Sequence, residues 1–151
     1  MTEFLETTVD KFIFRVATDR LYSPEGVWAF EESAGGRVRL GVTDYQQQLN
    51  GDVAFAHVKP VGTTVAVGDE LAEVETIKAT VSLHSPVAGE VVDVNADLEL
   101  TPEIMNEEPY GKGWLAVMES TDWPTVRASL LDADAYLSLM RSQAEEELNK
   151  S

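Results

Sequence analysis

Short apolar runs separated by turn residues fill the middle of the chain. Val27-Trp28-Ala29-Phe30, Arg37-Val38-Arg39-Leu40, Val53-Ala54-Phe55-Ala56-His57-Val58 and Thr63-Thr64-Val65-Ala66-Val67 have strand length and strand composition. Ala34-Gly35-Gly36, Asn50-Gly51-Asp52, Val67-Gly68-Asp69 and Pro86-Val87-Ala88-Gly89 supply the turns between such runs. Leu71 to Glu75 alternates apolar and acidic residues, the pattern of a half-buried strand, and a second strand follows at Thr80–Leu83. The chain therefore reads as β from Gly26 to about Met118. One short helix is predicted at Thr43–Leu49, with Thr43 as its cap. Beyond Thr121-Asp122-Trp123-Pro124, which offers a cap and a proline in the first turn, Val126, Leu130 and Leu131 fall on one helical face. A second helix is expected from near Asp132 through Tyr136, Leu137 and Met140, dissolving at Ala144-Glu145-Glu146-Glu147 into a solvated, fraying end. Near the start, Lys11-Phe12-Ile13-Phe14-Arg15-Val16 mixes apolar residues with flanking charges and reads equally as an added edge strand or a docking segment.

The β region contains an echo. Shifted by 27 residues, Gly62 falls on Gly89, Val65 on Val92, Val67 on Val94 and Leu71 on Leu98. Two similar units of turn, valine strand and turn suit a small sandwich or barrel with a pseudo-twofold axis.

Composition narrows the function. The 151 residues suffice for one domain with its own core. A net charge of −16 opposes nucleic-acid binding, which rests on clustered cations, and opposes docking on an anionic membrane surface. A hydrophobic content of 44% excludes disorder for the body. The absence of cysteine removes disulfides, thiolate metal sites and cysteine nucleophiles. No apolar run is long enough to span a bilayer, and the acids in Met1–Glu6 do not suit a signal peptide, so a cytoplasmic protein is expected. No Ser/His/Asp set, phosphate-cradling glycine loop or metal-ligand spacing is present. His57 and His84 read as ordinary strand histidines.

The most informative segment is Leu71-Ala72-Glu73-Val74-Glu75-Thr76-Ile77-Lys78-Ala79-Thr80-Val81-Ser82-Leu83. Lys78, one of five lysines, falls on the turn between two strands. A rigid hairpin presents an amine well, and the long side chain adds reach. An ordinary solvated turn lysine would look the same.

The surrounding residues decide between these. Glu75-Thr76-Ile77-Lys78-Ala79 and Ser85-Pro86-Val87-Ala88-Gly89-Glu90-Val91-Val92-Asp93-Val94-Asn95 closely resemble the lipoyl-lysine hairpin and following strand of the glycine cleavage system H protein family. The resemblance continues through Pro102–Leu115, with Asn106, Pro109-Tyr110-Gly111 and Gly113-Trp114-Leu115. Upstream it includes Gly41-Val42-Thr43-Asp44-Tyr45 and Gly51-Asp52-Val53, and in all it covers roughly residues 21–140. It implies a mainly β, lipoyl-domain-like barrel-sandwich hybrid of two small antiparallel sheets, with a short internal helix and C-terminal helices. On this reading residues 1–20 are an extension, 21–120 the lipoyl-carrier domain, and 121–151 a helical segment packed on the same domain.

The resemblance also implies a chemistry. Lipoic acid would be joined to Lys78 as an amide by a lipoate ligase or an octanoyl/lipoyl transferase, with Glu75 guiding that enzyme. Asn106, Pro109 and Tyr110 would be structural, Gly111 and Gly113 turn glycines, and Trp114 a core anchor. Biotin carriers share the architecture, but methionines usually flank their lysine, and Ile77 and Ala79 do not fit. The protein would be a monomeric, non-catalytic carrier in a multienzyme system.

Departures from the family pattern cluster near the arm. Gly26-Val27-Trp28 stands where histidine-glutamate-tryptophan is usual, Thr76-Ile77 replaces serine-valine, and Thr80-Val81-Ser82 replaces alanine-serine-aspartate. These favour a paralogue similar to the lipoate-binding proteins that serve a heterodisulfide-reductase-like complex in oxidation of sulfur compounds. The alternative is a glycine cleavage H protein carrying an aminomethyl group between glycine decarboxylase, aminomethyltransferase and dihydrolipoyl dehydrogenase. An unlipoylated scaffold is a third possibility. Acids on both sides of Lys78 suit transient docking on basic clefts or, equally, a solubility or salt adaptation of the whole surface.

Overall fold

The computed structural model describes residues 2–33 and 36–150. Ala34 and Gly35 of the expected Ala34-Gly35-Gly36 turn lie outside the described residues; Gly36 follows with φ +93°. The chain begins with β1 (Phe4–Val9) and β2 (Phe12–Ala17), then β3 (Leu21–Tyr22), β4 (Val27–Ser33), β5 (Arg37–Val42), α1 (Asp44–Asn50), β6 (Val53–Val58) and β7 (Thr64–Val65). It continues with β8 (Glu70–Thr76), β9 (Thr80–His84), β10 (Gly89–Val94), α2 (Asp97–Leu100), α3 (Ile104–Glu107), β11 (Ala116–Ser120), α4 (Trp123–Ser129) and α5 (Ala133–Asn149).

Two antiparallel sheets face each other. One runs β3-β4-β5-β11-β10-β7 and the other β6-β8-β9, while β1 and β2 form a separate hairpin. Alternation in β8 sends Ala72 and Val74 inward, and a register shift between Glu70 and Ala72 turns Leu71 inward as well. There they meet Val27, Leu40, Val42, Leu83, Val91 and Met118 in an aliphatic core. This is the barrel-sandwich expected. The 27-residue echo is structural too. Its two copies pair with each other, Gly89 against Val65 and Glu90 against Thr64, and Val53 and Thr80, also 27 apart, open the two strands that flank β8.

Thr43 caps α1, its hydroxyl oxygen accepting the Gln46 N–H at 3.2 Å. The same oxygen lies 2.9 Å from the buried Tyr136 hydroxyl, which ties α5 to the helix cap. Tyr136 also stacks on Tyr22, ring centroids 4.7 Å apart. With Val9, Phe14, Val16, Trp28, Tyr45, Met140 and Ala144 they make a second, largely aromatic cluster.

Several expectations change. Thr63–Val67 pairs as a strand only at Thr64–Val65, and Val67 is exposed. Short helices α2 and α3 interrupt the reading of continuous β up to Met118. The helix after Thr121 stops at Ser129, because Leu131 instead makes a β-bridge with Tyr22. The tail does not dissolve at Ala144. Ala133, Tyr136, Met140 and Ala144 form one buried stripe, so α5 continues to Asn149. The leader is not an edge strand added to a larger sheet but a two-stranded hairpin of its own. Its hairpin packs under α5, with Arg141 Nη1 donating to Thr7 Oγ1. Helix α1 covers the outer edge of β2: the Arg15 N–H donates to Asp44 Oδ2 at 2.9 Å, and Gln48 Nε2 donates to the Ile13 carbonyl at 3.0 Å.

Candidate functional site

Lys78 sits where the sequence placed it, in the middle of the three-residue connection Ile77-Lys78-Ala79 between β8 and β9. Thr76 organises this turn. Its N–H donates to the Ala79 carbonyl at 2.8 Å, and its hydroxyl oxygen accepts the N–H groups of Lys78 at 3.2 Å and Ala79 at 3.1 Å. A hydroxyl gathering nearby backbone N–H groups stiffens a loop that is largely exposed. Ile77 N–H donates to the Asp52 carbonyl at 3.3 Å, which fastens the tip to the segment after α1. The Ile77 side chain is 77% exposed.

The floor beneath the lysine is Gly51. It closes α1 at φ +87°, a conformation that favours glycine. A Cβ there would lie 3.4 Å from Lys78 Cε and 3.7 Å from Cδ, so the lysine stem runs along the glycine backbone. Asn106 holds that floor in place. Its amide nitrogen donates to the Gly51 carbonyl and to Gln47 Oε1, each at 3.0 Å, and its oxygen accepts the Val53 N–H at 2.9 Å. The structural part read for Asn106 is thus a brace between α1, α3 and β6.

Glu75 lies three residues before Lys78 on the outward face of β8, half exposed, with its carboxylate 3.8 Å from His57 Nε2. It does not touch the lysine turn in any hydrogen bond described. His84 has its own carboxylate, Glu25, at 3.0 Å. Tyr110 donates its hydroxyl to the Arg15 carbonyl at 2.8 Å, and Trp28 donates to the Pro109 carbonyl at 2.9 Å, so the Pro109-Tyr110 segment clamps the strands behind it. Gly113 is required by close approach, since a Cβ would come within 2.4 Å of the Ile104 carbonyl oxygen. Trp114 is not a core anchor. It is half-buried at the edge of the aromatic cluster, with the Arg39 guanidinium 4.2 Å over its ring.

One feature escaped the sequence. Lys78 lines a groove of about 350 Å³ together with Val9, Phe12, Phe14, Tyr45, Gln48, Leu49, Ala144, Glu147 and Leu148. Its walls come from the leader hairpin, α1 and the last turns of α5. The only signal was the apolar content of Phe12-Ile13-Phe14.

Fold and hairpin define the class: a small barrel-sandwich that offers a lysine on a braced β-turn, with the machinery of a carrier. Known proteins agree. The family model described as "Glycine cleavage H-protein" matches residues 20–143. A glycine cleavage system H protein of Thermus thermophilus is 40% identical over 129 residues, covering 85% of this chain and 98% of that protein. That of Cronobacter sakazakii is 41% identical over 128 residues, with the same coverage. The crystal structure of a glycine cleavage system H protein from Mycobacterium marinum superposes with a TM-score of 0.72 at 32% identity, covering 80% of this chain and 95% of that one. The chain belongs to the glycine cleavage H-protein family. Proteins of this family are non-catalytic carriers with lipoic acid held covalently on a lysine. No helix among the described residues is long and apolar enough to cross a membrane.

Proposed function

We propose that Lys78 is the lipoyl-lysine of this chain and that its arm carries the aminomethyl group of glycine decarboxylation between docked enzymes. The observation that supports this reading is the exposed lysine on the Thr76–Ala79 turn, inside the segment matched by the H-protein family. The residues fit the group. The amine stands on an exposed turn that a modifying enzyme can reach, and the turn is held by Thr76, Asp52 and the Gly51 floor. Bound lipoate would supply a dithiolane that opens to accept a load and recloses at another enzyme. The amide removes the Lys78 charge, and tethering raises the local concentration of the arm at each docked partner.

Glu75, outward-facing and close in sequence, would orient the lipoate ligase or octanoyl/lipoyl transferase. Glycine decarboxylase, aminomethyltransferase and dihydrolipoyl dehydrogenase would be the clients. Matches to glycine cleavage H proteins across most of the chain support this reading over the sulfur-oxidising one that the residues near the arm favoured. The heterodisulfide-reductase-like complex rests on the departures at Gly26-Val27-Trp28, Thr76-Ile77 and Thr80-Val81-Ser82.

Intact mass measurement in a lipoate-supplied host tests the site. One lipoyl adduct is expected on the wild type and none on Lys78→Arg; no adduct, or an adduct that survives the substitution, overturns it. Purified lipoylated protein given to the glycine decarboxylase set should then load in the presence of glycine. Failure to load would return the sulfur complex to first place.

A further inference from the structure

Alternation along β2 serves two grooves. Phe12 and Phe14 line the one beside Lys78, while Ile13 and Arg15 turn to the other side of the strand and help line a second, open groove of about 540 Å³. One wall of this second groove is leader, with Thr2, Phe4, Ile13 and Arg15. The opposite wall runs from Asn106 to Gly111, inside the family match. Phe4 meets the Tyr110 ring with centroids 5.7 Å apart, which sets the two walls against each other. Phe4 and Ile13 are nonetheless 43% and 57% exposed. The cations of the lining are already paired. Arg15 Nε donates to Glu6 Oε2 at 3.0 Å, and Arg20 donates to Asp19 Oδ1 at 3.0 Å and to the Tyr110 carbonyl at 2.7 Å. Asp44 accepts from the Arg15 N–H and from Gln47 and Gln48. Glu107 and Glu108 are exposed, and their carboxylates have no hydrogen bond or ion pair among the described residues. The free charge of the groove is therefore negative, and it stands opposite free apolar surface.

We propose that this second groove docks a client enzyme of the glycine set through a surface segment that carries a lysine or arginine beside apolar side chains. The inference rests on the lipoyl reading and adds the chemistry of the partner. Charge selects the occupant. Glu107 and Glu108, on a chain of net charge −16, attract a cation and repel an acidic segment. A second copy of this chain would bring the same excess of acid against them. Phe4 and Ile13 supply the apolar contact that a cation alone would not need. Position gives the docking a purpose. Asn106 lines the groove and also holds the Gly51 carbonyl, which lies under the Lys78 stem, and the Val53 N–H. Between those two residues the Asp52 carbonyl accepts the Ile77 N–H of the lysine turn. An enzyme seated in the groove is thus registered on the same backbone that registers the lysine. Because one wall is leader, the site adds a contact that the family-matched body does not make, and so lets a client tell this carrier from other lipoyl domains.

The test uses the lipoylated full chain, its adduct on Lys78 first verified by intact mass. It is titrated as carrier into glycine decarboxylase, aminomethyltransferase and dihydrolipoyl dehydrogenase of the same organism, with KM and kcat read separately. Ile13→Ser, and Glu107→Gln combined with Glu108→Gln, should each raise the KM of at least one of these enzymes by about tenfold and leave its kcat unchanged. Added salt should raise the wild-type KM for that enzyme more steeply than the KM of the glutamine variant. Val61→Ser removes an equally exposed apolar side chain that lines no part of the groove, and it should leave every KM unchanged. If both groove variants keep the wild-type KM for all three enzymes, or if Val61→Ser raises KM as much as Ile13→Ser does, the docking site is overturned and the carrier reading stands. A chain that acquires no adduct on Lys78, or that is lipoylated yet turned over by none of the three enzymes, overturns both.

Discussion

The barrel core and the aromatic cluster beside it are packed from different materials and serve different parts of the chain. The barrel core is almost wholly aliphatic, drawn from inward-facing strand positions such as Leu40, Leu71, Val74 and Val91 within the family-matched segment. The second cluster relies on Phe14, Tyr22, Trp28, Tyr45 and Tyr136, and it gathers the leader hairpin and the last helix onto the barrel. Its polar contacts matter as well: the Thr43–Tyr136 pair, the Arg141–Thr7 pair, and Arg20, whose guanidinium lies 4.4 Å over Trp28 while donating to the Tyr110 carbonyl. A generic carrier body thus closes its own core. The leader hairpin and the last helix are held onto that body by rings whose edges and hydroxyls specify direction. The lysine stands at the border between the two.

The sharpest break in this comparison should come from the barrel. Leu71→Ala removes a fully buried side chain between the sheets and is expected to cost about 2–5 kcal/mol, lowering Tm by on the order of 10 °C. Hydrogen exchange should rise throughout both sheets, and a loss confined to β1, β2 and α5 would contradict the division. Next in size is an alkaline effect. Burial pushes the hydroxyls of Tyr22 and Tyr136 far above the usual tyrosine range. The folded phenols stay protonated while the unfolded ones ionise from about pH 10. Stability should therefore be intact below about pH 10 and fall by about 1.4 kcal/mol per group per pH unit above it. Denaturant titrations at rising pH read this directly, and Tyr136→Phe should flatten the decline.

At neutral pH the same Tyr136→Phe variant loses only its bond to Thr43, about 1 kcal/mol. Its exchange signature should be confined to α5 and the leader hairpin, and equal exposure of the barrel strands would merge the two regions into one. The smallest effect belongs to the turn. Thr76→Val leaves the Lys78 and Ala79 N–H groups to water, with a stability cost expected below about 1 kcal/mol because the turn is exposed. Faster amide exchange at Lys78 and Ala79, with Tm nearly unchanged, is the result to look for.

Much of this was written in local patterns. The β8 alternation placed Val74 inside and Glu73 and Glu75 outward, the Thr43 cap was visible as a residue type, and the family words around Lys78 carried the hairpin to its turn. What did not show depends on contacts distant in sequence. Leu131 leaves its helical pattern because Tyr22 offers a β-bridge, and α5 persists past Ala144 because the leader hairpin lies beneath it. Trp114 looked like a core residue by type, yet the stacked Arg39 holds it at the edge. The groove needed three separate stretches of chain to meet, and no local word encodes such a meeting. The residues near Lys78 pointed toward sulfur chemistry because a few substitutions weighed more in that window than they do across the matched length.

The 27-residue echo reaches further than strand pairing. The same step that carries Val53 to Thr80 carries Gly51 to Lys78, each two residues ahead of its strand. One of the two corresponding positions has kept no side chain at all, and the stem of the other lies upon it. On the lipoyl reading of Lys78 a chain with two corresponding turns would be univalent: each chain would hold one load, and flux would scale with the number of chains rather than with the number of turns.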